Sequence, residues 1–209
     1  MHARTTDRED KEHGNGMKNA ALIILTLIIA AGWFYGYTLY KEHQGDIVLA
    51  LAERFDALAL PFREIEMSRK EPVKELLMPV YGVAAADLED TWGDARTEGR
   101  IHEGIDIFAP EGTPVFSATE GYVDFVDFGY RGGRNVIILG PGRVHYYYAH
   151  FIHVADGIHE GSYVTPDTVL GFVGTSGNAS GTPSHLHFGV YPQEWVPVNP
   201  YGLIIDRWE

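Results

Sequence analysis

From about Leu76 onward, glycine and proline cut the chain into short apolar runs: IDIFAP, GTPVFSA, GYVDFVDFG, NVIILG, VHYYYAHF, VLGFVG and HLHFGVY. Turn signals at roughly eight- to twelve-residue spacing leave room for strands but not for long helices. The 24 glycines and 11 prolines are the composition that so many turns require. The expected fold is therefore mainly β, an antiparallel sheet of sandwich-like or open-barrel form over residues 76–209. With 45% hydrophobic residues the chain can fill a core, and no long repeat or low-complexity tract interrupts the pattern.

The N-terminal third reads differently. Residues 1–18 are polar and mixed in charge, a composition that buries too little apolar surface to fold. Residues 20–40 then run without a charge, bracketed by Lys18 and Lys41. As a helix rising 1.5 Å per residue they span about 31 Å, close to the hydrocarbon thickness of a bilayer. Trp33, Tyr35, Tyr37 and Tyr40 gather at the far end, where an aromatic belt would sit. A buried core helix is rarely apolar on every side. A cleaved signal peptide would use Ala30 and Ala31, but the apolar stretch continues past them and Ile29 is a poor small-residue signal. The reading is an uncleaved signal anchor over residues 19–40. Arg4, Arg8, Lys11 and Lys18 precede it, against Lys41 and Arg54 in the stretch that follows, so the N-terminus is expected in the cytoplasm.

Residues 46–60 place Val48, Leu51, Ala52, Phe55, Leu58 and Ala59 at helical spacing, and Pro61 is expected to end that helix. It reads as a stalk that lifts the domain off the membrane, or as a short docking helix for a protein partner. Residues 41–75 as a whole are taken as helical stalk and linker.

The chain carries 29 acidic and 16 basic residues, a net charge of −13, which disfavours nucleic acid held through its phosphates. Cysteine is absent, which excludes disulfides, thiolate metal ligands and a cysteine nucleophile. A metal site must then draw on His, Asp and Glu. Of the ten histidines, His2, His13 and His43 lie in the tail or beside the apolar span, and His145, His153 and His159 have no partner at metal-ligand spacing. His102, His150, His185 and His187 remain, with Asp106.

His102 and Asp106 lie four residues apart in RIHEGIDIFAP, where Gly104 and the strand-like IDIF argue against a helix. In a fully extended chain their Cα atoms would stand about 13 Å apart. Metal–ligand bonds are only about 2.0–2.2 Å. The backbone must therefore turn between them if both bind one ion, and Gly104 is the natural place because glycine tolerates conformations other residues avoid. Asp106 would then open the following strand. His185 and His187 alternate with Leu186 and Phe188, so as strand residues both imidazoles share one face. Spacing leaves open whether both bind a metal or one binds and the other faces a substrate. His150, among tyrosines, is unspecific by itself.

Together these segments resemble a known family. MPVYG (78–82), TWGDAR (91–96), GRIHEGIDIFAPEGTPVFSATEGYV (99–123), GRNVIIL (133–139), YYAHF (147–151) and GFVGTSGNASGTPSHLHFGV (171–190) are similar to the LytM/lysostaphin-type zinc endopeptidases of peptidoglycan. The resemblance covers about residues 76–200. It implies one Zn2+ held by His102, Asp106 and His187, with His150 and His185 as catalytic histidines beside it. It also implies a β-sheet domain with a groove over the sheet, acting on peptidoglycan peptides outside a bacterial cytoplasmic membrane. A non-catalytic relative that regulates wall amidases, and an endopeptidase acting on proteins, are the alternatives. Departures at LGPGRV (139–144), Phe151, GTPSHLHF and the glycine after Phe188 touch none of the five site positions and bear on groove shape.

Overall fold

The computed structural model describes residues 26–37 and 61–207, Glu194 excepted. The chain divides into two units, Met1–Leu58 and Ala59–Glu209. In the first, residues 26–37 are helical, inside the expected anchor. Among the described residues no helix is long and apolar enough to cross a membrane. The rest of the expected anchor, residues 19–25 and 38–40, and the stalk helix expected at 46–60 lie outside the described residues.

Residues 61–68 are helical, with Pro61 the first of them among the described residues; whether a helix at 46–60 ends there lies outside the described residues. This helix belongs to the second unit and packs within it. Met67 is fully buried, the Tyr122 hydroxyl donates to Glu66 at 2.8 Å, and Arg143 pairs with Glu64 at 3.0 Å.

The strands of the second unit are β1 (Leu76–Leu77), β2 (Ile105–Phe108), β3 (Pro114–Phe116), β4 (Gly121–Gly129), β5 (Gly133–Leu139), β6 (His145–Phe151), β7 (His153–Val154), β8 (Tyr163–Val164), β9 (Val169–Phe172), β10 (His185–Gln193), β11 (Val196–Val198) and β12 (Ile204–Ile205). The main sheet runs β11-β10-β6-β5-β4-β8, with β2 also paired to β10. All its pairings are antiparallel, as expected from the sequence. Strands β3, β9 and β7 form a smaller antiparallel sheet. The exception to the antiparallel pattern is the short β1–β12 pair, which is parallel.

Strand β10 organises the site. Residues His185–Phe188 pair with β2, and His187–Tyr191 pair with β6. Its alternation is the one read from the sequence: Leu186, Phe188 and Val190 enter the core. Tyr146 and Tyr148 of β6, Val136 and Ile138 of β5, and Ile105 and Ile107 of β2 meet them there. Each such fully buried side chain contributes about 1.5–3 kcal/mol of hydrophobic stabilisation. Tyr148 is buried without an orphaned hydroxyl, because the Ala118 N–H donates to it at 2.9 Å. One face of β10 is thus fixed by the core, and the histidines are left on the other.

Candidate metal centre and active-site groove

The β2–β10 ladder sets Asp106 directly opposite His187. His102 arrives from the loop before β2. Residues 91–94 clamp that loop: Gly93 N–H donates to the His102 carbonyl at 2.9 Å, and His102 N–H donates to the Asp94 carbonyl at 2.9 Å. Thr91 serves both candidate ligands. Its carbonyl accepts from His102 Nδ1 at 2.7 Å, and its hydroxyl accepts from the Asp106 N–H at 3.0 Å.

The backbone does turn between His102 and Asp106, but the reason for Gly104 differs from the one expected. Gly104 is not among the residues with positive φ. A β-carbon there would stand 2.6 Å from the Phe188 carbonyl oxygen and 2.8 Å from His187 Cε1. Glycine is needed for close approach, since β2 lies directly against the His187 ring. Asp106 is the second residue of β2 rather than the first.

Three atoms converge. His102 Nε2 lies 2.8 Å from His187 Nδ1, and Asp106 Oδ1 lies 3.1 Å from each of them. A tetrahedral ion with bonds of about 2.0–2.2 Å separates its ligand atoms by about 3.3–3.6 Å. The trio therefore fits a metal with a small outward adjustment. The donor set, two imidazoles and a carboxylate, suits zinc and leaves a further coordination position open. The surrounding contacts favour binding too. A carbonyl can only accept, so the His102 proton sits on Nδ1 and the Nε2 lone pair is available. Asp106 Oδ2 is held by Arg96 at 2.5 Å.

Burial by itself would raise the Asp106 pKa. The hydrogen bonds and positive charge that His102 and His187 offer when protonated outweigh it, so in the metal-free protein the carboxyl is held far below the ordinary range. Burial lowers the pKa of His187, opposed by its hydrogen bond to Asp106. Both shifts favour the deprotonated forms that bind metal.

His185 and His150 stand beside the trio. His185 Nδ1 donates to the Pro183 carbonyl at 2.8 Å, and its Nε2 is 3.7 Å from Asp106 Oδ1. His150 Nδ1 donates to the Ser176 carbonyl at 2.9 Å. Their ring centroids are 5.0 Å apart. In both, the bound Nδ1 proton leaves Nε2 as an acceptor. Burial, together with the neighbouring His187, lowers the His150 pKa to about 4, so the ring is neutral near pH 7.

All five predicted site residues thus meet, and the placement of His150 is the least expected. Residues 134–136 of β5 oppose 148–151 of β6, so the ladder carries an extra residue on β6. His150 has φ of 70°, unusual for a residue with a side chain. Bulges re-aim side chains in this way. Simple alternation from buried Tyr146 and Tyr148 would send residue 150 into the core. The bulge turns its imidazole to the histidines instead. His145, His153 and His159, which lack metal-ligand spacing, stay apart: His145 stacks on Trp195 and His153 on Phe172.

The centre lies in a groove of about 420 Å³, also lined by Arg96, Arg100, Arg131, Tyr147, Asn178 and Tyr191. The sequence pattern assigns no role to Thr91 or Arg96. Neither has a spacing signal, because they reach the site through a loop.

Residues 100–200 match peptidase family M23. The chain is 42% identical over 130 residues to the L-Ala–D-Glu endopeptidase of Bacillus subtilis, covering 57% of this chain and 39% of that protein. It is 35% identical over 108 residues to the DD-carboxypeptidase/endopeptidase Mpg of Neisseria meningitidis, covering 51% of this chain and 23% of that one. It thus spans well under half the length of these relatives. A LytM crystal structure from Ruminococcus gnavus superposes with a TM-score of 0.52 at 31% identity, covering 64% of this chain and 62% of that one. The converging His-Asp-His trio, the antiparallel sheet that carries it and these similarities together identify a peptidase family M23 domain, homologous to L-Ala–D-Glu endopeptidase, lysostaphin and LytM.

Proposed function

We propose that the chain is a membrane-anchored zinc metalloendopeptidase that hydrolyses peptide bonds in the stem peptides or cross-links of peptidoglycan. The observation that carries this reading is the convergence of His102, Asp106 and His187 within 3.1 Å of one another, with His150 and His185 alongside. His102, Asp106 and His187 hold the ion. Bound zinc supplies Lewis-acid polarisation of the scissile carbonyl and a water of lowered pKa. His150 and His185, each with Nδ1 committed to a carbonyl, accept a proton at Nε2. Once protonated they donate from the same atom to the developing oxyanion and then to the leaving amine. Tyr147 and Tyr191 offer ring surface along the groove on which a peptide can lie.

Residues 19–40 anchor the chain in the bacterial cytoplasmic membrane with the N-terminus inside. The second unit, Ala59–Glu209, works in the extracytoplasmic space. Residues 46–60 are available to a protein partner. The intact chain should sediment with membranes, and removing residues 1–40 should release it; a truncated chain that still sediments would contradict the anchor.

The direct test of the activity loads the purified chain with zinc and incubates it with peptidoglycan. New free amino groups are expected from wild type. His185→Ala should retain zinc and lose on the order of a hundred- to a thousandfold in rate. Zinc binding without amine release would favour a regulator of other wall enzymes, and release from proteins alone would favour a protein-directed peptidase.

A further inference from the structure

The charge of the groove is opposite to that of the chain. With a net charge of −13, the protein nevertheless lines this groove with Arg96, Arg100 and Arg131, against Glu103 and the candidate ligand Asp106. Arg96 is committed to Asp106. Arg131 is exposed, and among the described residues its guanidinium enters no ion pair. Its neighbour along the hairpin, Arg134, lies over the Phe128 ring at 5.2 Å.

The backbone under Arg131 is fixed. The Asn178 N–H donates to the Arg131 carbonyl at 3.0 Å. The Arg134 N–H donates to Ser176 Oγ at 2.9 Å. Gly133 and Gly177 meet so closely that a β-carbon on Gly177 would lie 2.3 Å from both the Arg131 carbonyl oxygen and the Gly133 nitrogen. The same turn holds His150, whose N–H donates to the Gly132 carbonyl at 2.8 Å and whose ring donates to Ser176. One locked junction therefore fixes the Arg131 backbone at the edge of the groove, one residue from the carbonyl that anchors a candidate catalytic histidine.

We propose that Arg131, with Arg100 adding charge in the same groove, binds a free carboxylate of the substrate peptide next to the bond that is cut. The fork of a guanidinium matches a carboxylate in two parallel hydrogen bonds, which a neutral amide cannot reproduce. The enzyme therefore discriminates between carboxylate-bearing and amidated wall peptides. This inference rests on the peptidoglycan-peptidase reading.

The test uses muropeptides from peptidoglycan in two forms, native and carbodiimide-coupled to ammonia so that each carboxylate becomes a primary amide. The zinc-loaded full chain should cut the native form with kcat/KM about tenfold or more above the amidated form. Arg131→Gln should bring the two within about twofold by slowing the native form alone, and Arg131→Lys should fall between. Calorimetry on metal-free protein gives a readout independent of turnover: native muropeptides should bind about tenfold more weakly to Arg131→Gln than to wild type. Equal cleavage of both forms by wild type, or equal loss on both in Arg131→Gln, would overturn the proposal while leaving the peptidase reading intact. Cleavage of neither form would overturn the peptidase reading, and equal native-peptide affinity of wild type and Arg131→Gln would overturn the role of Arg131.

Discussion

At the scale of single residues, the site depends on side chains that are absent as much as on those that bind. Gly104 leaves the space into which the His187 ring and the Phe188 carbonyl fit. A methyl group at 104 would meet backbone at 2.6 Å, a contact that no rotamer change relieves. Gly104→Ala should therefore push β2 away from β10. We expect about 1–3 kcal/mol of lost stability and weaker zinc retention, read by denaturant unfolding and by metal content after dialysis. Unchanged values of both would show that β2 and β10 can separate freely. The histidines themselves are legible in the sequence. His185 and His187 alternate with core residues, and a core-facing Leu186 and Phe188 leave the pair no other side. His102 and Asp106 are legible as a pair, but the function of Gly104 is not, because a close contact with a strand some eighty residues away leaves no local mark.

At the scale of elements, β6 illustrates what a pattern cannot carry. The HYYYAHF run is readable as a strand, yet its register breaks at the bulge that turns His150 to the site. The cause lies elsewhere, in the β4–β5 turn and residues 176–179, which dock through Gly133 and Gly177 and hold His150 from both sides. Gly177→Ala should part that junction. Zinc content should remain at the wild-type level, because none of the three candidate ligands touches it, while kcat should fall about tenfold or more as His150 loses its fixed orientation. Loss of zinc in that variant would mean that the junction supports the metal centre itself. Arg96 and Thr91 belong to the same lesson. They serve Asp106 and His102 from a loop, where neither periodicity nor spacing marks a residue as functional.

At the scale of the whole molecule, the β texture, the antiparallel sheet and the β10 face follow from short apolar runs between turns. The helix at 61–68 does not, since Pro61 reads as a stop and the helix is tied to the distant β4 through the Tyr122–Glu66 hydrogen bond. The buried polar centre also sets how stability responds to pH. Burial and the nearby His187 lower the His150 pKa from 6.5 to about 4. Between those values the unfolded chain binds more protons than the folded one, so stability is full above about pH 6.5 and falls as pH drops toward 4. His187 shifts in the same direction. The metal-free protein should show a lower urea midpoint at pH 4.5 than at pH 7, and His150→Gln should reduce that difference. An identical drop in His150→Gln would remove His150 from this account.

The central claim is that His102, Asp106 and His187 form a zinc site that cuts wall peptides with His150 and His185. The most direct measurement determines zinc per chain and amine release from peptidoglycan, side by side, for wild type, His185→Ala and His187→Ala. We predict one zinc per chain and release from wild type, zinc without appreciable release from His185→Ala, and neither from His187→Ala. Full zinc occupancy in His187→Ala, or undiminished release from His185→Ala, would contradict the account.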